Sequence, residues 1–124
     1  MSIRFLGLRT VIYPAPDLAA ATAWWSEILG MAPYFSEPFY VGFNPGGYEL
    51  GLIPDGDVAA GALTYWGVDD VAGAVASALV AGATEHSPIS DVGEGIITAA
   101  VTTPQGSIVG FIFNPHFEVA PTDA

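Results

Sequence analysis

An internal repeat limits the folds open to this chain more than any other feature of its sequence. Residues 12–31 read IYPAPDLAAATAWWSEILGM, and residues 65–83 read YWGVDDVAGAVASALVAGA. Each stretch runs from a short apolar strand into an Asp that can cap a helix, then through about three helical turns to a Gly. Three strand-like segments follow each helix, so the sequence predicts two βαβββ modules.

The bounds of the modules come from turn and linker signals. We expect one domain over residues 1–124, because this length and a hydrophobic content of 52% suffice to form a core. The first module covers about residues 3–54 and the second about residues 62–117, with a polar, Gly-containing linker at residues 55–61. The expected helix caps and ends are Asp17 and Gly30 in the first module, and Asp69 or Asp70 with Gly82 in the second.

The charge balance excludes several classes of partner. Thirteen acidic side chains face only Arg4 and Arg9, without any Lys, which gives a formal net charge of −11. Nucleic-acid binding needs a basic surface, and anionic membranes would repel this chain, so neither is expected as a partner. The net charge has two interpretations: it keeps an apolar chain dispersed in water, or it attracts cationic small molecules.

The expected location follows from signals that the sequence lacks. There is no cysteine, which excludes disulfides and thiolate chemistry. The opening stretch MSIRFLGLRT does not have the pattern of a secretion signal. No apolar run approaches the roughly 20 residues that cross a bilayer. We therefore expect a cytoplasmic protein without a membrane-spanning segment.

Four motifs, in their order along the chain, connect the sequence to a known family. They are VIYPAPDL…WWSEILGM, GYELGL, YWGVDDVAGAV…AGA and TPQGSIVGF, and they lie within residues 5–117. With these motifs the chain resembles the vicinal oxygen chelate superfamily, which includes glyoxalase I, bleomycin-resistance proteins and extradiol dioxygenases. The resemblance implies an α+β fold in which the two modules form a curved eight-stranded mixed sheet around a pocket, with the helices outside. It also implies a homodimer, because a second subunit often completes the pocket.

The resemblance further implies where a metal would bind. Metal-using members place His or Gln on the first strand of each module and Glu on the last strand. The corresponding positions here are Thr10, Glu49, Leu63 and Gly110. Only Glu49 is a good ligand, because Thr binds metals weakly and Leu and Gly have no side-chain donor. We therefore expect no bound metal and no other cofactor. His86 and His116 fall outside these positions and are expected at the surface or at a strand edge.

Strand alternation indicates which way Glu49 points. Within GYELGL, Glu49 shares a face with Gly51, while Leu50 and Leu52 lie on the face that packs against the helix. Glu49 should therefore point into the pocket, beside mainly apolar neighbours. Two alternatives follow for this carboxylate. In the first, the carboxylate is paired internally, with Arg4 or with tyrosine hydroxyls. In the second it has a functional role, in which it binds a cationic group or hydrogen-bond donor of a ligand or acts as a base.

Aromatic side chains are concentrated around a Pro-broken segment at residues 34–43, where they can flank the pocket mouth and stack on a planar ligand. Together with strand positions of matching alternation they define the candidate ligand-binding residues. These are Thr10, Tyr34, Tyr40, Phe43, Glu49, Leu63, Tyr65, Gly110 and Ile112. Glu49 is also the candidate catalytic residue.

Two classes of function fit these observations. The first is a small-molecule binding protein of the glyoxalase/bleomycin-resistance type, not metal-dependent, whose ligand is planar, and cationic if the net charge serves recognition. The alternative is an enzyme of the same superfamily, a lyase, isomerase or dioxygenase, that uses Glu49 as a metal ligand or general base. Retention of one ligand position in four disfavours metal-dependent lyase or dioxygenase activity, and a fold alone does not choose between the classes. The sequence favours the binding protein and leaves catalysis open.

Overall fold

The computed structural model describes residues 2–118, and within them the chain forms the βαβββ order twice. The first module contains β1 (Gly7–Pro14), α1 (Leu18–Leu29), β2 (Phe35–Glu37), β3 (Tyr40–Phe43) and β4 (Glu49–Ile53). The second contains β5 (Leu63–Gly67), α2 (Val71–Val80), β6 (Thr84–Asp91), β7 (Ile97–Thr102) and β8 (Ile108–Phe113). In the described residues, eight strands of mixed direction and two α-helices confirm the predicted α+β class.

The two modules arrange their strands in the same way. In the first, β1 and β4 are parallel neighbours, β3 is antiparallel to β4, and β2 is antiparallel to β3. In the second, β5 and β8 are parallel neighbours, β7 is antiparallel to β8, and β6 is antiparallel to β7. The repeated sequence pattern therefore corresponds to a repeated strand order as well as a repeated order of elements.

The chain divides into two compact units whose bounds differ slightly from those of the modules. The first unit consists of residues 10–62 with residues 117–118, and the second unit consists of residues 2–9 with residues 63–116. The N-terminal residues thus pack with the second module. The Leu6 amide donates to the Gly67 carbonyl at 2.8 Å, and the Phe5 ring lies edge-on to Trp66, with centroids 5.6 Å apart.

Both helices begin where the sequence predicts. The Asp17 side chain accepts a hydrogen bond from the Ala20 amide at 3.0 Å, and Gly30, whose φ of 67° is left-handed, caps the C-terminal end of α1. At the start of α2, the capping residue is Asp70 rather than Asp69, because its carboxylate accepts from the Gly73 amide at 2.9 Å. Neither helix of the described chain is long and apolar enough to cross a membrane.

Each unit has its own hydrophobic core between strands and helix. In the first unit the buried strand residues are Val41, Phe43, Leu50 and Leu52, and they pack with Leu18, Ala21, Trp25 and Leu29 of α1. In the second unit the buried members of the core cluster are Val68, Val71, Ala74, Ala99, Val101 and Phe111. Because side chains alternate along a strand, the residues between these core positions point to the opposite side. That side of each unit, away from its helix, is called the far face below.

Candidate functional site

Glu49 lies on the far face of the first unit and is held there by two phenols. Its neighbour Leu50 is buried in the core beside α1, so alternation directs the Glu49 side chain to the other side, as predicted. The Tyr34 hydroxyl donates to Glu49 Oε1 at 2.6 Å, and the Tyr40 hydroxyl donates to Oε2 at 2.5 Å. We call these three residues the Glu49 cluster.

The two glycines beneath the Glu49 cluster make room for it. Gly42 on β3 and Gly51 on β4 are direct cross-strand partners. A Cβ built on Gly42 would lie 2.8 Å from Glu49 Oε2, 3.0 Å from Tyr34 Cε1 and 3.1 Å from Tyr40 Cε1, so that position touches all three members. A Cβ built on Gly51 would overlap the Tyr40 ring and hydroxyl. The phenols can therefore reach Glu49 only because both strands lack side chains at these positions.

Carboxylates are the only formally charged side chains in the Thr10 to Ala62 part of the first unit. This stretch contains Asp17, Glu27, Glu37, Glu49, Asp55 and Asp57, but no Lys, Arg or His. Partial burial of the phenol, the hydrogen bond to Glu49 and the negative charge of that carboxylate, in this order, raise the pKa of Tyr34 above its usual 10.0. Tyr34 is therefore a neutral hydrogen-bond donor at physiological pH.

Four of the predicted site residues come together in the first unit. Tyr34, Tyr40 and Glu49 form the cluster, and Thr10, which is 8% exposed, is the cross-strand partner of Glu49 on β1. Of the two internal partners considered for Glu49, the tyrosine hydroxyls are the ones observed. The Arg4 guanidinium instead lies 3.9 Å from the Asp69 carboxylate, with 85% of its side chain exposed.

The prediction that Phe43 binds the ligand is wrong. Phe43 is 0% exposed and belongs to the core cluster between β3, β4 and α1. It lies an odd number of positions from Tyr40 on the same strand, so its side chain points away from the far face. Phe35 belongs to the aromatic segment at residues 34–43 but was not one of the named candidate residues; it is the cross-strand partner of Gly42, and its ring centroid lies 6.1 Å from that of Tyr40.

The remaining predicted residues form a group in the second unit. Tyr65 on β5 and Gly110 on β8 are cross-strand partners, and a Cβ built on Gly110 would overlap the Tyr65 ring. Leu63 and Ile112 have the same alternation, so they share the far face of this unit with Tyr65. Burial raises the pKa of Tyr65, which keeps its hydroxyl neutral in these apolar surroundings.

The strand register corrects one predicted equivalence between the modules. In the first module Glu49 of β4 pairs with Thr10 of β1, and three residues further along both strands Leu52 pairs with Tyr13. In the second module the pairs Thr64–Val109 and Tyr65–Gly110 place Ile108 beside Leu63. The position that corresponds to Glu49 is therefore Ile108, and Gly110 corresponds to Gly51. The chemistry is unchanged, because Ile, like Gly, has no side-chain donor.

The donor set does not fit the family's metal. The first module offers one carboxylate and one hydroxyl, and both oxygens of that carboxylate already accept phenol hydrogens. The second module offers Leu63 and Ile108, which cannot ligate. In the described part of the chain, no three His, Asp or Glu side chains form a group that could hold a metal ion. His86 is an exposed residue of β6, and His116 Nε2 lies 2.9 Å from the Glu94 carbonyl.

We predict that the purified protein retains no tightly bound divalent metal. One carboxylate with water in the other positions is a weak site, and zinc, nickel, iron and manganese all favour sites with several protein ligands. Elemental analysis after dialysis should find far less than one equivalent of each metal per chain. A near-stoichiometric content of any of them would contradict the assignment of Thr10, Glu49, Leu63 and Ile108 to the ligand positions.

Solved structures similar to this one share its fold at low sequence identity. The Mn(II)-bound glyoxalase from Novosphingobium aromaticivorans has a TM-score of 0.77 and 17% identity, over 99% of this chain and 44% of that chain. A variant of homoprotocatechuate 2,3-dioxygenase from Brevibacterium fuscum has a TM-score of 0.73 and 16% identity, over 98% and 35% of the two chains. The chain thus spans less than half of either protein. A methylmalonyl-CoA epimerase variant from Streptomyces coelicolor has a TM-score of 0.67 and 14% identity, over 95% and 100%.

A match between the sequence and a family model shows the family to which the chain belongs. No protein of curated function matches the chain significantly. Residues 7–111, however, match the family model described as Glyoxalase/Bleomycin resistance protein/Dioxygenase superfamily. This match covers most of the chain and agrees with the resemblance to vicinal oxygen chelate proteins. The chain therefore belongs to the glyoxalase/bleomycin resistance protein/dioxygenase superfamily.

Proposed function

We propose that the protein binds a small planar cation at the far face of its first unit, through Glu49 and without a metal. One observation carries this proposal: a carboxylate whose two oxygens accept hydrogen bonds from neutral phenols, in a stretch of chain that has no basic side chain. A half-buried carboxylate is costly when no opposite charge compensates it. A cationic ligand would supply that charge.

The Glu49 carboxylate has acceptor capacity left for a ligand. An ionised carboxylate offers about four lone-pair sites and the two phenols occupy two of them, one on each oxygen, so a ligand's donor can bind beside a phenol or take its place. Tyr34 is 56% exposed, so the cluster is accessible to solvent rather than enclosed in the core. The exposed Phe35 ring lies 6.1 Å from the Tyr40 ring and can stack on a planar ligand or attract a cation, and the exposed Phe39 ring lies 6.1 Å from Phe35.

The enzyme alternative has less support from this geometry. Using Glu49 as a general base would require it to take a proton while both oxygens accept phenol hydrogen bonds, which favour the ionised carboxylate over the protonated acid. Using it as a metal ligand would meet the poor donor set described above. The solved neighbours named as a glyoxalase, a dioxygenase and an epimerase support a shared fold, and a shared fold does not transfer a reaction.

The assembly and location remain part of the proposal. We propose a homodimer, as the family resemblance implies, and a cytoplasmic location, because the chain has no cysteine. Neither nucleic acid nor an anionic membrane is expected as a partner at a net charge of −11. Sedimentation equilibrium of the purified protein would test the dimer directly.

The experiment that tests this function compares planar cations with neutral molecules of the same shape. Benzamidinium and benzamide form one such pair, within a panel of aromatic amidines, guanidines and their neutral amides. A ligand that binds only the folded state raises the melting temperature, so the cations should raise it more than their neutral counterparts. Titration calorimetry then gives the affinity of each compound that shifts the melting temperature.

We predict that Glu49→Gln lowers the binding affinity for the cationic compounds at least about tenfold, because a hydrogen bond to a charged group is lost. The affinity for the neutral compounds should stay nearly unchanged. Glu27→Gln is the matched control, since it removes the same charge from an exposed position of α1. Equal weakening by both substitutions would mean that only the net charge attracts the cations. A panel in which no cation binds in a Glu49-dependent way would refute the proposal.

A further inference from the structure

The two phenols of the Glu49 cluster are held to different degrees by the fold. Tyr40 lies on β3 and is half-buried, and its ring covers Gly51 of the neighbouring β4. A Cβ built on Gly51 would lie 2.7 Å from both Cε2 and Cζ of that ring, which shows how closely the ring sits on the strand. Moving the Tyr40 hydroxyl away from Glu49 would therefore expose the strand and separate a packed contact.

Tyr34 is held by its backbone and by the contact of its ring with Gly42, where a Cβ would lie 3.0 Å from Cε1, but more of Tyr34 is exposed than of Tyr40. It precedes β2, outside the regular strands, and 56% of the residue is exposed. Its amide donates to the Gly42 carbonyl at 3.0 Å, which fixes the main chain beside β3. The side chain can then rotate about its χ1 angle without changing the pairing of the strands. Rotation breaks the one hydrogen bond between the Tyr34 hydroxyl and Glu49 Oε1 and moves the hydroxyl into solvent-accessible surroundings.

We infer that Tyr40 is a positioning residue that stays on Glu49, whereas Tyr34 is the partner that a ligand's cationic N–H group displaces. This inference rests on the proposed function and specifies how its site works. Tyr40 holds Oε2 and so sets the direction of the carboxylate. Oε1, which faces the exposed side chain, becomes the position at which the ligand is bound.

The exchange is favourable for a charged donor and unfavourable for a neutral one. A phenol O–H bond to a carboxylate is replaced by an N⁺–H bond, in which full opposite charges attract at short range. A neutral amide N–H offers no such gain and would have to compete with the Tyr34 hydroxyl on equal terms. The expected ligands are therefore aromatic amidinium, guanidinium or protonated amine compounds, with a flat ring that lies beside Tyr34 and Phe35 after the exchange.

The experiment measures benzamidinium and benzamide binding by calorimetry to Tyr34→Phe, Tyr40→Phe and the control Tyr48→Phe. Tyr34→Phe keeps the ring but removes the competing donor, so benzamidinium should bind roughly three- to tenfold more tightly than to the wild type. Tyr40→Phe removes the hydrogen bond that sets the direction of the carboxylate, so Glu49 must be ordered when the ligand binds and benzamidinium should bind more weakly by a similar factor. Tyr48 lies outside the cluster and its ring contacts Phe117, so Tyr48→Phe should leave both affinities unchanged.

The outcomes separate this inference from the function on which it rests. Opposite effects of Tyr34→Phe and Tyr40→Phe on the cation, with little effect on benzamide, support it. Glu49-dependent binding that both substitutions weaken would overturn the inference and leave the proposed function intact, because Tyr34 would then be a permanent part of the site. If no Glu49-dependent binding of the cation is found, both the function and the inference fail. Urea denaturation of each variant verifies that the compared proteins are folded.

Discussion

Phe43→Ala should destabilise the protein by about 3–5 kcal/mol, because removal of a fully buried aromatic side chain leaves a cavity that the surroundings fill only in part. Phe43 is 0% exposed and packs in the core of the first unit, between β3, β4 and α1. Equilibrium denaturation in urea, followed by circular dichroism, measures the change in the free energy of unfolding. An effect of this size would be a large fraction of the stability of an ordinary domain.

Phe39→Ala is the matched control for that substitution. Phe39 belongs to the turn between β2 and β3, only four residues away, but it is 67% exposed. Its removal should cost less than about 1 kcal/mol, as is usual for exposed positions with one ring contact. If Phe43→Ala were as mild as Phe39→Ala and also weakened ligand binding, Phe43 would belong to the binding site after all.

The burial of Phe43 shows that a local concentration of aromatic residues does not reveal which face of a strand each of them occupies. The sequence concentrates aromatic residues between Tyr34 and Phe43, and that concentration alone suggests one surface. A strand sends successive side chains to opposite faces, so Tyr40 and Phe43 cannot both face a ligand once they lie on one regular strand. The alternation that oriented Glu49 correctly also contained this information, and applying it to β3 would have placed Phe43 in the core.

Local signals account for the parts of the fold that were predicted well. The helix caps at Asp17 and Asp70 depend on contacts three residues away, and a capping side chain next to an apolar stripe is visible in the sequence itself. The repeated order of elements is likewise a matter of pattern along the chain. These features need no knowledge of which distant segments meet.

The features that were missed depend on contacts between distant segments. The equivalence of Glu49 with Ile108 follows from how β8 pairs with β5, and a strand register set by turns and packing cannot be read from the sequence pattern alone. The packing of residues 2–9 with the second module is also non-local. For Glu49 itself, alternation predicted the face, whereas the choice of the tyrosine hydroxyls over Arg4 required the fold.

Gly51→Ala should destabilise the protein by about 1–3 kcal/mol, as expected when a methyl group is forced into a close-packed contact. It should also weaken cation binding by the same factor as Tyr40→Phe or more. The added Cβ would occupy the place of the Tyr40 ring and hydroxyl, so the ring must move and its hydrogen bond to Glu49 Oε2 is lost. Urea denaturation and calorimetry with benzamidinium measure the two effects.

A double-mutant cycle with Tyr40→Ala tests whether the Tyr40 ring is the cause. In the wild-type background the methyl group at position 51 meets the ring, but in the Tyr40→Ala background the three side-chain atoms nearest to it are removed. There Gly51→Ala should be neutral or slightly stabilising, because Ala loses less chain entropy than Gly when a strand forms. The difference between the two backgrounds is the coupling energy, and contacting residues commonly show about 0.5–3 kcal/mol. If Gly51→Ala were equally destabilising in both backgrounds, the strain would lie in the backbone of β4, and Gly51 would have no part in positioning Tyr40 on Glu49.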